Sequence, residues 1–167
     1  MQCHVKHPYP CGLEEVYLYF RDEDSVVAKY EALGARNIEM IRNEENDNGF
    51  YSESKREIPA DVPAMLKSLL GDYNQVVQKE HWYSEDDGSL GCDLIIDLVG
   101  VPVSIKGEMH LYDVDDGCIN EVVLEIDSSI PLVGGSLSRF VAGDCNKSME
   151  QEYRYILEAV KSHEASA

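Results

Sequence analysis

The sequence predicts an α+β fold: a leading strand, two short helices, an antiparallel meander and one long C-terminal helix. Three observations carry this. The dipeptides Asn48-Gly49, Asp87-Gly88 and Asp116-Gly117, with the tight Gly100-Val101-Pro102 link, punctuate the middle of the chain as hairpin turns do. Between them apolar and polar residues alternate with period two, the pattern of a sheet with one solvated face. After Pro131 the apolar spacing changes to three and four residues and stays there to Val160.

The elements follow in order. Gln2 to Tyr9 is short and mixed and ends at Pro10, which suits a strand followed by a turn. Leu13, Val16, Tyr17 and Phe20 recur at helical spacing, with Gly12 before them and Asp22-Glu23-Asp24 breaking the pattern. A second helix fits from Asp24 to Leu33, closed by Gly34. Extended segments occupy Ala35 to Pro131, with one interruption. Between Pro59 and Asp72, Val62, Met65, Leu66, Leu69 and Leu70 precede Gly71, the pattern of a short amphipathic helix.

A two-residue loop fixes which residues face each other, so the turns predict the faces of the sheet. With Gly100-Val101 as loop, Leu98, Ile96 and Leu94 pair with Val103, Ile105 and Gly107. With Asp116-Gly117 as the next, Leu111, Met109 and Gly107 pair with Val122, Leu124 and Ile126. One face is then apolar, and the other carries Asp93, Asp97, Lys106, Glu108, His110, Glu121, Glu125 and Asp127. The earlier strands leave two registers open. An Asp87-Gly88 loop turns Lys79, His81 and Tyr83 inward, whereas a longer loop turns in Gln78, Glu80 and Trp82, the side favoured by the size of Trp82.

The C-terminal stripe runs through Leu137, Phe140, Val141, Cys145, Met149, Tyr153, Ile156, Leu157 and Val160, with a Glu150–Arg154 pair on its outer side. A helix of about 28 residues is roughly 40 Å long, enough to cross a whole sheet. Gly143 lies in its middle, as a bend, a close approach or a tolerated defect.

Composition sets the function classes. The chain has 167 residues, the size of one domain, with 44% hydrophobic side chains, enough to bury a core. Its 14 Lys and Arg against 32 Asp and Glu give a net charge of −18, and the basic residues are scattered singly or in pairs such as Lys55-Arg56. Without a basic stripe, binding to nucleic acid or to anionic membranes is excluded as a working reading. Met1 to Pro10 has no apolar signal region and no run of about 18 apolar residues occurs, so a cytoplasmic location without membrane insertion is expected. Five cysteines without a Cys-x-x-Cys pair read as free thiols.

Chemical motifs are sparse. His4 and His7 fall on opposite faces of a strand and read as solvated side chains rather than metal ligands. His81 and His110 lie on different strands and give no metal site either. Asp113-x-Asp115-Asp116-Gly117 has its glycine one place early for a calcium loop and Leu124 where the last carboxylate belongs, so it reads as a hairpin tip. Neither a nucleophile elbow nor a P-loop occurs. No cofactor is expected.

The order of elements resembles the helix-grip fold, in which a curved antiparallel sheet of about seven strands wraps around the final helix. Leu70-Gly71-Asp72, Glu80-His81-Trp82, Gly100-Val101-Pro102-Val103-Ser104-Ile105-Lys106-Gly107 and Ser129-Ile130-Pro131-Leu132-Val133-Gly134-Gly135 resemble an uncharacterised bacterial family of the START-like (SRPBCC) superfamily. That superfamily includes lipid-transfer domains, Bet v 1-like plant allergens and polyketide cyclases. The resemblance spans the whole chain and implies a hydrophobic cavity between sheet and last helix, with no catalytic motif to carry over.

The functional expectation is a single domain over residues 1–167 that binds a small hydrophobic or amphipathic molecule, lipid- or polyketide-like. Trp82, Leu94, Ile96, Ile105, Met109, Leu124, Leu137, Phe140, Val141, Met149 and Tyr153 are the expected cavity residues, and individually each also reads as ordinary core. An enzyme of cyclase or dehydratase type would need buried acid/base groups, for which Glu80, His81, Tyr83 and Tyr153 are the candidates. Taken singly, Glu80 reads first as a carboxylate on the strand surface, since 32 acidic residues must mostly lie in water. A third reading is an acidic protein-interaction module with a filled core.

Overall fold

The computed structural model describes residues 1–59 and 67–166. Its strands are β1 (Gln2–Tyr9), β2 (Arg36–Asn46), β3 (Gly49–Pro59), β4 (Tyr73–Ser84), β5 (Leu90–Leu98), β6 (Ser104–Val114) and β7 (Gly117–Asp127). The helices are α1 (Leu13–Arg21), α2 (Glu23–Ala32), α3 (Lys67–Leu70) and α4 (Gly134–Ser166). All seven strands form one antiparallel sheet in the order β1-β7-β6-β5-β4-β3-β2. Six of them are a plain meander. The first strand pairs with the last, so α1 and α2 carry the chain from one edge of the sheet to the other. This is the helix-grip, START-like architecture.

Local chemistry explains the helix ends. Gly12 offers no side chain to cap α1, and the carboxylate of Asp113 at the end of β6 does so instead, accepting from the Leu13 N–H at 2.9 Å. Asp22 caps α2 by accepting from the Ser25 N–H at 3.0 Å. The expected helix between Pro59 and Asp72 is described only in its last turn, α3. Val62, Met65 and Leu66, and the side chains of Leu69 and Leu70, lie outside the described residues.

The Asn48-Gly49 and Asp116-Gly117 hairpins turn one residue earlier than expected. Asn46 faces Gly49 and Val114 faces Gly117, so the loops are Asp47-Asn48 and Asp115-Asp116, with the glycine opening the next strand. A neighbouring carbonyl leaves room only for glycine at that first strand position. A Cβ on Gly49 would lie 2.0 Å from the Trp82 oxygen, and one on Gly117 1.9 Å from that of Tyr9. The β6–β7 register is therefore shifted by two from the one expected: Met109 faces Val122 and Leu111 faces Asn120. A shift of two preserves the face, so Ile105, Met109, Val122, Leu124 and Ile126 still point into the core.

The β4–β5 connection is the longer loop, with Ser84 facing Leu90, which turns Gln78, Glu80 and Trp82 inward. Trp82 is buried against Tyr17 and Phe20 of α1, with ring centroids 5.1 and 5.3 Å away. The long helix α4 lies over β1 and β7 and against α1 and α2. Nothing comes within 4 Å of a Cβ built on Gly143, which removes the close approach from its three readings.

Candidate functional site

The concave side of the sheet and α4 bound a partly open cavity of about 120 Å³. Alternation places its floor: Leu94 and Ile96 from β5, Ile105 and Met109 from β6, and Val122 and Leu124 from β7. Helical spacing places its roof, where Phe140, Val141, Cys145, Met149 and Tyr153 share one side of α4. Nine of the eleven expected residues thus meet there. The other two do not: Leu137 is buried one turn before Val141, and Trp82 is screened from the space by α1.

Sequence reasoning missed the polar part of the wall. Arg56 on β3, with Asn74 and Gln78 on β4, reaches the cavity from one side; His7 on β1 and its cross-strand neighbour Asn120 reach it from the other. Glu152 of α4 completes the first group. Its carboxylate lies 3.4 Å from the ammonium of Lys29, which is 1% exposed and also donates to the Tyr19 carbonyl at 3.1 Å. Burial alone would lower the Lys29 pKa, but Glu152, Tyr30 and Glu80 outweigh it and hold the amine charged, with a pKa above its usual value. One signal for this group was available: Lys29 lies three residues after Val26 and beside Tyr30, on the buried stripe of α2.

Glu80 is not a surface carboxylate. It is 6% exposed and accepts from Gln78 Nε2 at 2.7 Å and Trp82 Nε1 at 2.8 Å, while burial raises its pKa against the opposing pull of Lys29. It lies behind the cavity wall, not on it. His81 and Tyr83 belong to the opposite face of β4, where His81 stacks on Tyr51 at 4.2 Å and the Tyr83 ring covers Gly91. Of the four acid/base candidates only Tyr153 touches the cavity, and its hydroxyl donates to the Pro8 carbonyl at 2.7 Å.

The histidines divide. His4 is exposed and pairs with Glu121 at 2.5 Å, whereas His7 is buried and stacks on Tyr153 at 4.3 Å, correcting the expectation that both are solvated. Burial pushes the His7 pKa down despite Glu150 and Glu152, so the ring is neutral at neutral pH. Burial also pushes the Cys145 thiol up to about 12, which keeps it protonated and unreactive. Such a wall can enclose an apolar body and meet a polar group at Arg56.

The fold is shared with solved structures at low identity. A protein of Thermus thermophilus matches with TM-score 0.64 and 14% identity over 95% of this chain and 99% of its own. The STAR-related lipid transfer protein of Xanthomonas axonopodis matches with TM-score 0.61 and 13% identity over 93% and 85%. Human STARD10 matches with TM-score 0.64 and 10% identity over 98% of this chain and 65% of its own. No curated protein matches in sequence. No helix among the described residues is long and apolar enough to cross a membrane. Residues 4–160, covering β1 to nearly the end of α4, match the family described as Protein of unknown function (DUF2505), and the chain belongs to that family.

Proposed function

We propose that this protein binds a small hydrophobic or amphipathic molecule in the cavity between the sheet and α4. The observation that carries the reading is the partly open, largely apolar space itself: close-packed cores leave few voids, and this one is walled by both the sheet and the helix. A lipid-transfer protein of Xanthomonas with the same fold supports it. The volume narrows the ligand. About 120 Å³ is slightly less than an engineered apolar cavity that takes benzene, so the part of the ligand held inside is compact. None of the five cysteines is disulfide-bonded among the described residues, which favours a reducing compartment such as the cytoplasm as the place of action.

The test is native mass spectrometry of protein purified from its host without detergent, followed by identification of any released molecule, and titration with an apolar fluorescent reporter. A bound compound, together with loss of reporter binding in the cavity-filling variant Val122→Phe, is the expected result. A bare-chain mass with no reporter binding would sink the reading.

A further inference from the structure

Two buried polar atoms of the cavity wall have no hydrogen-bond partner among the described residues: Nη1 of Arg56 and Oδ1 of Asn120. Folded proteins keep few such atoms, because an unmade buried hydrogen bond costs free energy. The two are far apart, since Asn120 is on β7 and Arg56 on β3, four strands away across the sheet. Arg56 is the more informative because it carries a charge.

Its guanidinium is held in place. Nη2 donates to Gln78 Oε1 at 3.0 Å, and the group lies over the Tyr30 ring with its central carbon 3.9 Å from the centroid. Gln78 is itself fixed by donating to Glu80. In a chain with 32 acidic side chains, no ion pair among the described residues involves Arg56. The buried carboxylates at this end are engaged elsewhere, Glu152 by Lys29 and Glu80 by Gln78 and Trp82. A preorganised cation therefore borders an apolar space with its Nη1 amino group unused.

We propose that Arg56 anchors the ligand's head group, and that the ligand is a compact apolar body bearing a single carboxylate that accepts from Arg56 Nη1. This rests on the ligand-binding reading and specifies its chemical class. A carboxylate matches the planar guanidinium, and charge-assisted bonds to arginine are stronger than those to neutral acceptors. A second negative charge is disfavoured because Glu152 and Asp144 are also on the wall, which argues against a phosphate dianion. The cavity volume leaves room for little more than one ring beside the head group.

The test compares phenylacetate, phenylacetamide and ethylbenzene by calorimetry on the intact protein and on Arg56→Gln. Phenylacetate is expected to bind at least about tenfold more tightly than the amide, and Arg56→Gln to remove that preference while leaving ethylbenzene affinity within about twofold. A measurement on the unaltered protein makes the result independent of the variant's folding: the carboxyl carbon of bound ¹³C-labelled phenylacetate should titrate below its free value. Equal affinities for acid and amide, or a bound acid titrating at or above its free value, overturns the assignment to Arg56 and leaves the cavity reading standing. If none of the three binds, ethylbenzene included, the cavity reading fails and the proposal with it.

Discussion

The concave side of the sheet is two surfaces built on the same alternation. Under β5, β6 and β7 the inward positions are filled by Leu94, Ile105, Met109, Val122, Leu124 and their like. Under β3 and β4 they include Ser52, Ser54, Asn74, Gln78 and Glu80, joined by Lys29 and Glu152 from the helices. The apolar half is stabilised by area removed from water, with no directional demand. In the polar half Lys29, Glu152, Gln78 and Glu80 each depend on a particular partner. Its integrity is therefore a matter of pairs.

The largest effect should come from breaking such a pair. Lys29→Ala leaves Glu152 without its ion-pair partner and removes the positive charge that opposes the rise of the Glu80 pKa, and is expected to cost about 3–5 kcal/mol in urea unfolding. Lys29→Met with Glu152→Leu should recover most of that loss, since replacing both charges by apolar groups is often close to neutral. A cost under about 1 kcal/mol for the single change would mean that the polar half is not held by this pair.

The apolar half gives the next effect. Leu124→Ala, at a position 1% exposed beside the cavity, is expected to cost about 3 kcal/mol. Unlike the Lys29 variant, it should lose the same amount at pH 5 and pH 8, because no titrating group depends on the leucine. A pH-dependent loss would show that the two halves are coupled through the space between them.

These halves were not equally legible. In β5 to β7 the apolar alternation identified the inward face, and even a register shifted by two kept every residue on its side. In β3 and β4 the inward positions mix Phe50, Val76 and Trp82 with polar side chains while Val77 and Tyr83 lie on the outer parity, so alternation is weak there and the size of Trp82 decided the face. The cavity's apolar lining followed from alternation and helical spacing, but Trp82 was placed there on size, and its shielding by Tyr17 and Phe20 is a tertiary fact. His7 was misjudged because its burial comes from α4, more than a hundred residues away, through Tyr153. Arg56 was visible only as half of a basic pair. Its position two residues after Ser54, on the inward parity of β3, means nothing until the register of β4 is known.

Acid titration should separate the polar half from the far edge of the cavity by the sign of its effect. Glu80 has a folded pKa above its ordinary 4.5, so its contribution is fully present below that value and is lost as pH rises through the folded pKa. Stability of Glu80→Gln relative to the parent should therefore improve as pH rises from 4.5. His7 runs the other way. Its folded pKa lies below 6.5, so the stability of its neutral form is present above that pH and is lost as pH falls toward the folded pKa. His7→Phe should lose less stability than the parent between pH 6.5 and 5, at roughly 1.4 kcal/mol for each unit of displacement. Same-sign changes in the two variants, measured by urea midpoints across that range, would contradict the burial argument.

The smallest effect tests whether the roof common to both halves must bend. Gly143 is an exposed glycine in the middle of α4, with open space where a Cβ would stand, next to Asp144 and Cys145 of the cavity wall. If it is a tolerated defect, Gly143→Ala should stabilise the protein by about 0.5–1 kcal/mol through helix propensity alone. Probe affinity should then stay unchanged, because the new methyl faces away from both halves. A bend needed for entry predicts something different. The cavity is small, and if entry is by lifting of the helix, a stiffer helix would slow association while leaving the cavity's geometry intact. Stopped-flow binding of the apolar reporter distinguishes the two, since a raised urea midpoint with an unaltered association rate identifies the glycine as a defect, and a raised midpoint with a slowed rate makes it a hinge.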